Sequence, residues 1–587
     1  MTTSALPSIL EAFDLDRAMA HVRWLSERTP NRISGGGQDR LAAEYIRDTL
    51  ASYGLAAGLQ EFDTYTSTIG SGSLDVLSPE AWTPVVKPCL HIDPTPPGGV
   101  VGELVAVGPG GREDYIGLDV RGKIVLAEVS YAPATPEKAR LAYEQGAIGI
   151  VLMNWGTSDQ DNIPWRALKA VWGNPTRATW NEIPRLHALA ITRRDGERLK
   201  AQCRQGKVEV RLRVTGQRLW ARVAQPIAWL HAPESSPERE QFVVVSGHLD
   251  AWEPGVTDNA SGNGVMIEIA RLLAERRDEL RRSVVFCFWN GHEIAEAAGS
   301  THFVDTHWEE LNRNGVAYTN IDSVGMRGAD HLAVNSSPEL RDAHQAIAEE
   351  LFGERLASKR LERIGDQSFF GVGVPAISAR HALPDAVVRA WNGATLGWWN
   401  HTDKDTFDTL DEAVLERDGR FWTGLIHDLV SAEPLPHLAA PAVEELRARF
   451  NTMLAEGEDP AELGRVQPLL DRLAERAVWL DGLQAATEEA LLARNEALLR
   501  LSRHVTPLRA TVVGKYGQDS YGLSDLKEPV PMLAPLSRYR QLAADDPERH
   551  LLRTELLRVR HRFTDALTAS IEVIDTLESR LRSLRAD

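Results

Sequence analysis

Between positions 14 and 54 the apolar residues recur at helical spacing: Ala18, Val22 and Leu25 beside Trp24, then Leu41, Tyr45, Ile46 and Leu50. This period predicts two helices, the second stopped by Gly54. They are joined by the turn Arg32-Ile33-Ser34-Gly35-Gly36-Gly37, which reads as a loop because no strand precedes the glycines. From about 67 to 214 the pattern changes to short β-rich runs at 100–107, 123–129 and 148–153, with one short helix over 137–145. That texture predicts an inserted β-rich domain without chemistry of its own. Beyond it, apolar runs at 242–246, 283–289 and 316–321 alternate with a helical pattern over 259–280, where Val265, Ile269, Leu272 and Leu273 share one side. Strand and helix in alternation predict an α/β domain, a mainly parallel mixed sheet with helices on both faces. Ligands of such sheets collect at the carboxyl ends of the strands.

Pro434, Pro436 and Pro441 punctuate the next boundary, and helix formers dominate after it. Leu552, Leu556, Phe563, Leu567, Ile571, Ile574, Leu577 and Leu581 form one stripe, which predicts a helix of about eight turns. The stripe suits packing on the chain's own helices or a homodimer interface, and a homodimer is expected. The chain thus divides into 1–66, the helical start of the α/β domain; 67–215, the insert; 216–433, the rest of that domain; and 434–587, the helical C-terminal region.

Several domains are consistent with 587 residues, too many for one compact core. The balance of 65 basic against 83 acidic residues, net −18, argues against a phosphate-binding surface, so no nucleic acid is expected as a partner. No apolar run is long enough to predict a membrane span, and the first residues lack the basic-then-apolar order of a secretory signal. Cys89, Cys203 and Cys287 are too few for a disulfide framework and read as free thiols. A cytoplasmic location is the resulting expectation. Tryptophan is over-represented, with 16 residues against 13 Phe and 10 Tyr. Trp252, Trp289, Trp391, Trp398 and Trp399 lie close in sequence to the polar motifs, which favours a partly aromatic pocket and an apolar or aromatic substrate.

Each predicted strand of the α/β domain ends in side chains able to bind a metal. The first runs into Ser246-Gly247-His248-Leu249-Asp250, followed by Thr257-Asp258-Asn259-Ala260-Ser261-Gly262. The second ends in Trp289-Asn290-Gly291-His292-Glu293 and the third in Asn320-Ile321-Asp322; His401 follows in Trp399-Asn400-His401-Thr402-Asp403. Singly these are ordinary. Gathered on one sheet edge, the carboxylates and imidazoles would leave costly unpaired charge unless cations bound there. A pair of divalent ions is the economical reading, zinc first, with manganese and cobalt as other candidates.

The order GHxD, TDNASG, Gly-x-Glu, NxD and NHTxxDT resembles the M28 metallopeptidase family of aminopeptidases, glutamate carboxypeptidases and transferrin-receptor-like proteins. The Arg32–Leu50 stretch and the block Asp366-Gln367-Ser368-Phe369-Phe370-Gly371 are similar to further motifs of it, and the insert resembles a protease-associated domain. The resemblance implies a binuclear hydrolase of peptide or small amide bonds, with a water between the ions attacking the carbonyl. It implies that His248 and Asp322 hold one ion, Glu293 and His401 the other, and that Asp258 bridges them. Asp250 would accept the second N–H of His248 and fix its tautomer.

One position departs from the pattern. The family has Glu-Glu where this chain has His292-Glu293, and the first Glu is the general base; the stretch to Gly299-Ser300 is also longer by a residue. Three readings follow. His292 acts as base with an alkaline-shifted optimum, because protonation adds charge beside two dications. His292 is a hydrogen-bond donor or extra ligand while Glu296, expected one helical turn on, is the base. Or the site binds metal and hydrolyses poorly. Two other functions stay open: a non-catalytic, receptor-like binding protein, and an acyltransferase of the glutaminyl-cyclase type with a single-metal site. Lys515-Tyr516 is faintly similar to a carboxylate-binding pair of the glutamate carboxypeptidase branch, though a surface turn is the expectation.

Overall fold

A computed structural model describes residues 5–130, 133–361, 367–523 and 528–586. The main sheet has eight strands: β1 (Ala56–Ser67), β2 (Arg218–Leu230), β3 (Phe242–His248), β4 (Ser283–Trp289), β5 (Gly315–Asn320), β6 (His331–Ser336), β7 (Lys359–Arg360) and β8 (Ala376–Ala382). Their spatial order is β1-β2-β4-β3-β5-β8-β6-β7. The centre, β4-β3-β5-β8, is parallel, while β1 and β2 flank it antiparallel and β6 returns antiparallel to β8. Every residue of β3, β4 and β5 is buried, as expected of parallel strands covered on both faces. Helices α1 (Leu15–Arg28), α2 (Gln38–Ser52), α3 (Ser261–Glu275) and α4 (Glu412–Ser431) join these strands in one core with Val245, Phe286, Ile321 and Leu425.

The chain leaves β3 for its neighbour β4 on one side and then for β5 on the other. That reversal creates a crevice at the carboxyl ends of the central strands. Register lines up what emerges there. His248 pairs with Trp289, and Ser246 with Asn320, so His248 and Asp322 leave the sheet side by side. The predicted helix over 259–280 is shorter than expected. It starts at Ser261, because Asp258 and Asn259 have non-helical backbone angles, and it gives way near Arg276 to a short turn. The unwound start aims Asp258 into the crevice.

The segment between β1 and β2 forms a second sheet of seven strands, with Leu104, Ile124, Ile150, Leu189 and Val210 in its own core. It is less purely β than expected. Besides Thr135–Glu144 it contains a second helix, Arg193–Gln205, capped by Thr192, whose hydroxyl accepts from the Asp195 N–H. That helix is strongly polar, so apolar period did not reveal it; the cap was its sequence signal.

The C-terminal region holds α5 (Ala440–Ala455), α6 (Gln467–Asp481), α7 (Glu488–Ala510) and the long α8 (Glu548–Ala586). Leu556, Phe563, Leu567, Ile571, Ile574, Leu577 and Leu581 of the predicted stripe are buried in the same core cluster as residues of α6 and α7. Each such side chain contributes roughly 1.5–3 kcal/mol by leaving water. The stripe packs within its own chain, so a homodimer would have to use another surface. Among the described residues no helix is long and apolar enough to cross a membrane.

Candidate metal centre

Four loops at the carboxyl edge of the sheet bring His248, Asp258, Glu293, Asp322 and His401 together. Asp258 stands in the middle. Its Oδ1 lies 2.9 Å from His248 Nε2, and its Oδ2 lies 3.2 Å from His401 Nε2. His248 Nε2 also faces Asp322 Oδ1 at 3.5 Å, and His401 Nε2 faces Glu293 Oε2 at 3.1 Å. The geometry is therefore two imidazole–carboxylate pairs sharing one carboxylate, one oxygen to each.

The surrounding groups hold this arrangement. Asp405 accepts from the Thr257 N–H and hydroxyl, both at 2.9 Å, and from the Asp258 N–H at 3.0 Å. Asn400 donates to Asp258 Oδ2 at 2.6 Å, and Asn263 donates to the His248 carbonyl at 2.9 Å. Ser323 donates to Asp322 Oδ1 at 3.0 Å. Left-handed backbone at Glu253, Glu296, Ala297, Ser323 and His401 places five of the nine described non-glycine residues with positive φ on these loops. Such conformations cost about 1–3 kcal/mol each and persist where surroundings over-determine them, commonly at functional sites.

Asp250 touches His248 through a different atom than expected. Its main-chain carbonyl, not its carboxylate, takes the His248 Nδ1 proton at 2.7 Å. The carboxylate is already engaged, accepting from the His292 and Glu293 N–H groups at 3.1 and 3.0 Å and from the Ser34 hydroxyl at 2.9 Å. Glu296 is also corrected in place. Residues 292–297 form turns, not a helix, and the next helix begins at Ala298. Glu296 has φ 47° and lines the same cavity as His292 and Glu293.

The insert, expected to lack chemistry, roofs the site with the stretch 162–173. The Trp165 main-chain N–H donates to the His401 carbonyl at 2.9 Å, and Arg166 Nη1 lies 3.0 Å from His401 Nδ1. Lys169, fully buried, donates to the carbonyls of Gly173, at 2.7 Å, and Ala295. Trp172 donates to Ser368 at 2.9 Å, tilts against Tyr521 at 5.6 Å and lines the cavity with Trp252. Nothing local in sequence marked Arg166, Lys169 or Trp172. Lys515 and Tyr516 are not among the cavity's lining residues; Tyr516 is exposed and rests on Trp308. Asp366 of the Asp366–Gly371 block lies outside the described residues.

Electrostatics shows what the cluster lacks. Burial drives the Glu293 carboxyl well above its usual range, helped by the Asp258 charge. Burial alone would depress His248, but its hydrogen bonds to Asp258 and Asp322 carry it well above. Burial, then Arg166, pushes His401 down to about 4. Glu293 Oε1 is buried and finds no hydrogen-bond donor among the described residues. A buried carboxylate oxygen without a donor, and carboxylates crowding two Nε2 atoms, are the environment that bound cations satisfy. The donor set, imidazole with carboxylate, fits zinc and its neighbours.

Comparisons with known proteins agree in fold and motif. Residues 230–426 match the model of Peptidase family M28, and residues 100–199 match that of the PA domain. The chain carries an M28 peptidase domain. Aminopeptidase YwaD of Bacillus subtilis (strain 168) is 24% identical over 441 residues, covering 72% of this chain and 87% of that protein. The probable glutamate carboxypeptidase VP8 of Zea mays is 24% identical over 356 residues, covering 51% of this chain and 49% of the relative. The crystal structure of BSAP, a zinc aminopeptidase from Bacillus subtilis, superposes with a TM-score of 0.54 at 22% identity, covering 71% of this chain and 96% of that one. The M28 domain and its PA insert therefore share the zinc-aminopeptidase fold.

Proposed function

We propose that this protein is a hydrolase of peptide or small amide bonds, of aminopeptidase type, dependent on two divalent ions. The observation that carries this reading is the division of Asp258, with Oδ1 toward His248 and Oδ2 toward His401. His248, Asp322 and Asp258 Oδ1 would hold one ion; His401, Glu293 and Asp258 Oδ2 the other. Zinc is the first choice, since the similar solved structure is named a zinc aminopeptidase; manganese and cobalt suit the same donors. Bound there, such ions polarise a carbonyl and make water acidic enough to attack near neutral pH.

The chain's own residues prepare this chemistry. The Asp250 carbonyl keeps the His248 proton on Nδ1 and leaves Nε2 free for an ion. At His401 the requirement is reversed, because the Arg166 guanidinium, a donor only, faces Nδ1. His401 could hold an ion through Nε2 only with its ring proton on Nδ1, and Arg166 would then have to turn aside. Trp172 and Trp252 line the cavity and support an apolar or aromatic side chain next to the scissile amide. His292 stands where the resembled family has its general base. A neutral imidazole in this place accepts the water's proton or binds an ion, and cannot do both with one lone pair.

The test is hydrolysis of aminoacyl and acyl anilides by the metal-loaded full-length protein from roughly pH 6 to 10, beside a chelator control and metal analysis. Turnover that the chelator abolishes and zinc restores is expected. Two ions bound without turnover on any substrate would sink the hydrolase reading and favour a binding role.

A further inference from the structure

We infer that His292 is a metal ligand, the second imidazole on the ion held by His248 and Asp322. The inference rests on the metal-binding reading above and assigns position 292 a task different from that of a proton acceptor.

Two observations carry it, and a third sets what has to move. A ring nitrogen of His248, a ring nitrogen of His292 and a carboxylate oxygen of Asp322 all lie within 4.8 Å of one another. A tetrahedral zinc ion with bonds of about 2.0–2.2 Å keeps its donors roughly 3.3–3.6 Å apart, so this triangle closes on an ion with shifts of about an ångström. Next, the His248 and His292 rings lie face to face, centroids 4.1 Å apart and planes 16° apart. A ligated ion lies in the plane of each imidazole, so His292 has to rotate out of this stack to bring its lone pair onto the ion beside His248. Finally, a single residue holds the His248 ring and the backbone that carries His292. The Asp250 carbonyl orients His248 through Nδ1, while its carboxylate holds the His292 main-chain N–H at 3.1 Å. Such outer-shell partners pre-orient ligands.

The consequence is an asymmetric pair. One ion has four protein donors, from His248, His292, Asp322 and Asp258 Oδ1, the closed coordination of a structural zinc site. The other has three, from His401, Glu293 and Asp258 Oδ2, and keeps a position open for water or substrate. The lone pair of His292 is then occupied by the ion. Glu296, which lines the same cavity, is then the candidate to accept the water's proton.

The test uses metal-free full-length protein, titrated with cobalt(II) and followed by visible absorption. Zinc affinity is measured separately against a chromophoric chelator. The native chain is expected to bind two ions, the tighter one with the intense bands of a four-coordinate centre. His292→Ala is expected to weaken that ion by more than about 100-fold, beyond the roughly 10- to 100-fold of losing an outer-shell partner, and to change its band intensity, leaving the second ion's affinity within about threefold. X-ray absorption on the zinc forms is expected to show fewer imidazole neighbours per ion in the variant. Unchanged affinity and an unchanged cobalt spectrum would overturn the assignment while leaving the binuclear reading intact. A native chain that binds no ion would instead overturn the binuclear reading itself. Should the alanine variant unfold, His292→Gln, closer in size, repeats the titration with the same two outcomes.

Discussion

Lys169 donates to the main-chain carbonyl of Ala295, joining the insert to the turn that carries Glu293. The same ammonium bonds the Gly173 carbonyl at 2.7 Å, and the Gly173 N–H donates to the Glu296 carbonyl at 2.6 Å. Two strained residues, Glu296 and Ala297, are thereby tied to the roof of the site.

Lys169→Met is expected to release this turn. A misplacement of about an ångström costs on the order of 100-fold in rate, so kcat should fall about 10- to 100-fold. KM should change less than threefold, since the cavity walls keep their side chains. Steady-state kinetics on an anilide substrate, with metal content measured on the same samples, checks both. Lost metal in place of lost turnover would show that the clamp serves the ligands rather than the turn.

The same side chain sets a pH dependence of stability. Burial pushes the Lys169 ammonium down to about 7, opposed by the Glu296 charge. The unfolded value is about 10.4. Between the two, the unfolded chain holds a proton that the folded chain lacks, so stability rises with pH across the window and is lost as pH falls toward 7. Urea unfolding at pH 7, 8 and 9 and fixed saturating zinc is expected to give the native chain a slope steeper than Lys169→Met by about 1.4 kcal/mol per pH unit. Parallel slopes would refute a lysine that loses its proton on folding.

Asp258→Asn removes the shared charge while keeping the size of the side chain. Because one oxygen faces each imidazole, at 2.9 and 3.2 Å, both ions are expected to weaken together. Metal analysis should fall from two ions per chain to below one after gel filtration, and activity at limiting zinc by at least about 100-fold. Loss of one ion with the other unaffected would show that Asp258 does not bridge.

How far the sequence carried these conclusions depends on the range of each contact. The strands ending in His248 and Trp289 were legible because every residue in them is buried, and full burial writes an unbroken apolar run. His248, Glu293 and Asp322 were legible because adjacent parallel strands end at one edge. The role of Asp250 was visible as a residue but not as an atom, since carbonyl and carboxylate are equivalent until the backbone path is known. Lys169 and Ala295 are separated by 126 positions, and no local period joins a lysine in one domain to a carbonyl in another. The unwound start of α3 escaped for a related reason: the Thr257 and Asp258 N–H groups are held by Asp405, which lies 148 and 147 positions away in sequence.

Trp172 gives the remaining expectation, on selectivity. Its ring is buried against Tyr521, its N–H is fixed by Ser368, and it lines the cavity beside the ligand cluster. A rigid aromatic wall of this kind favours an apolar substrate side chain by the area it covers. Trp172→Ala should therefore lower kcat/KM for leucyl and phenylalanyl anilides by about 10- to 200-fold, the range of a well-packed apolar contact of 1–3 kcal/mol. For alanyl anilide, too small to reach the wall, the change should stay within about threefold. The comparison between substrates separates recognition from stability, because a partly unfolded variant loses all of them equally. An equal loss on every substrate would remove Trp172 from the substrate wall and return it to the packing between insert and C-terminal region.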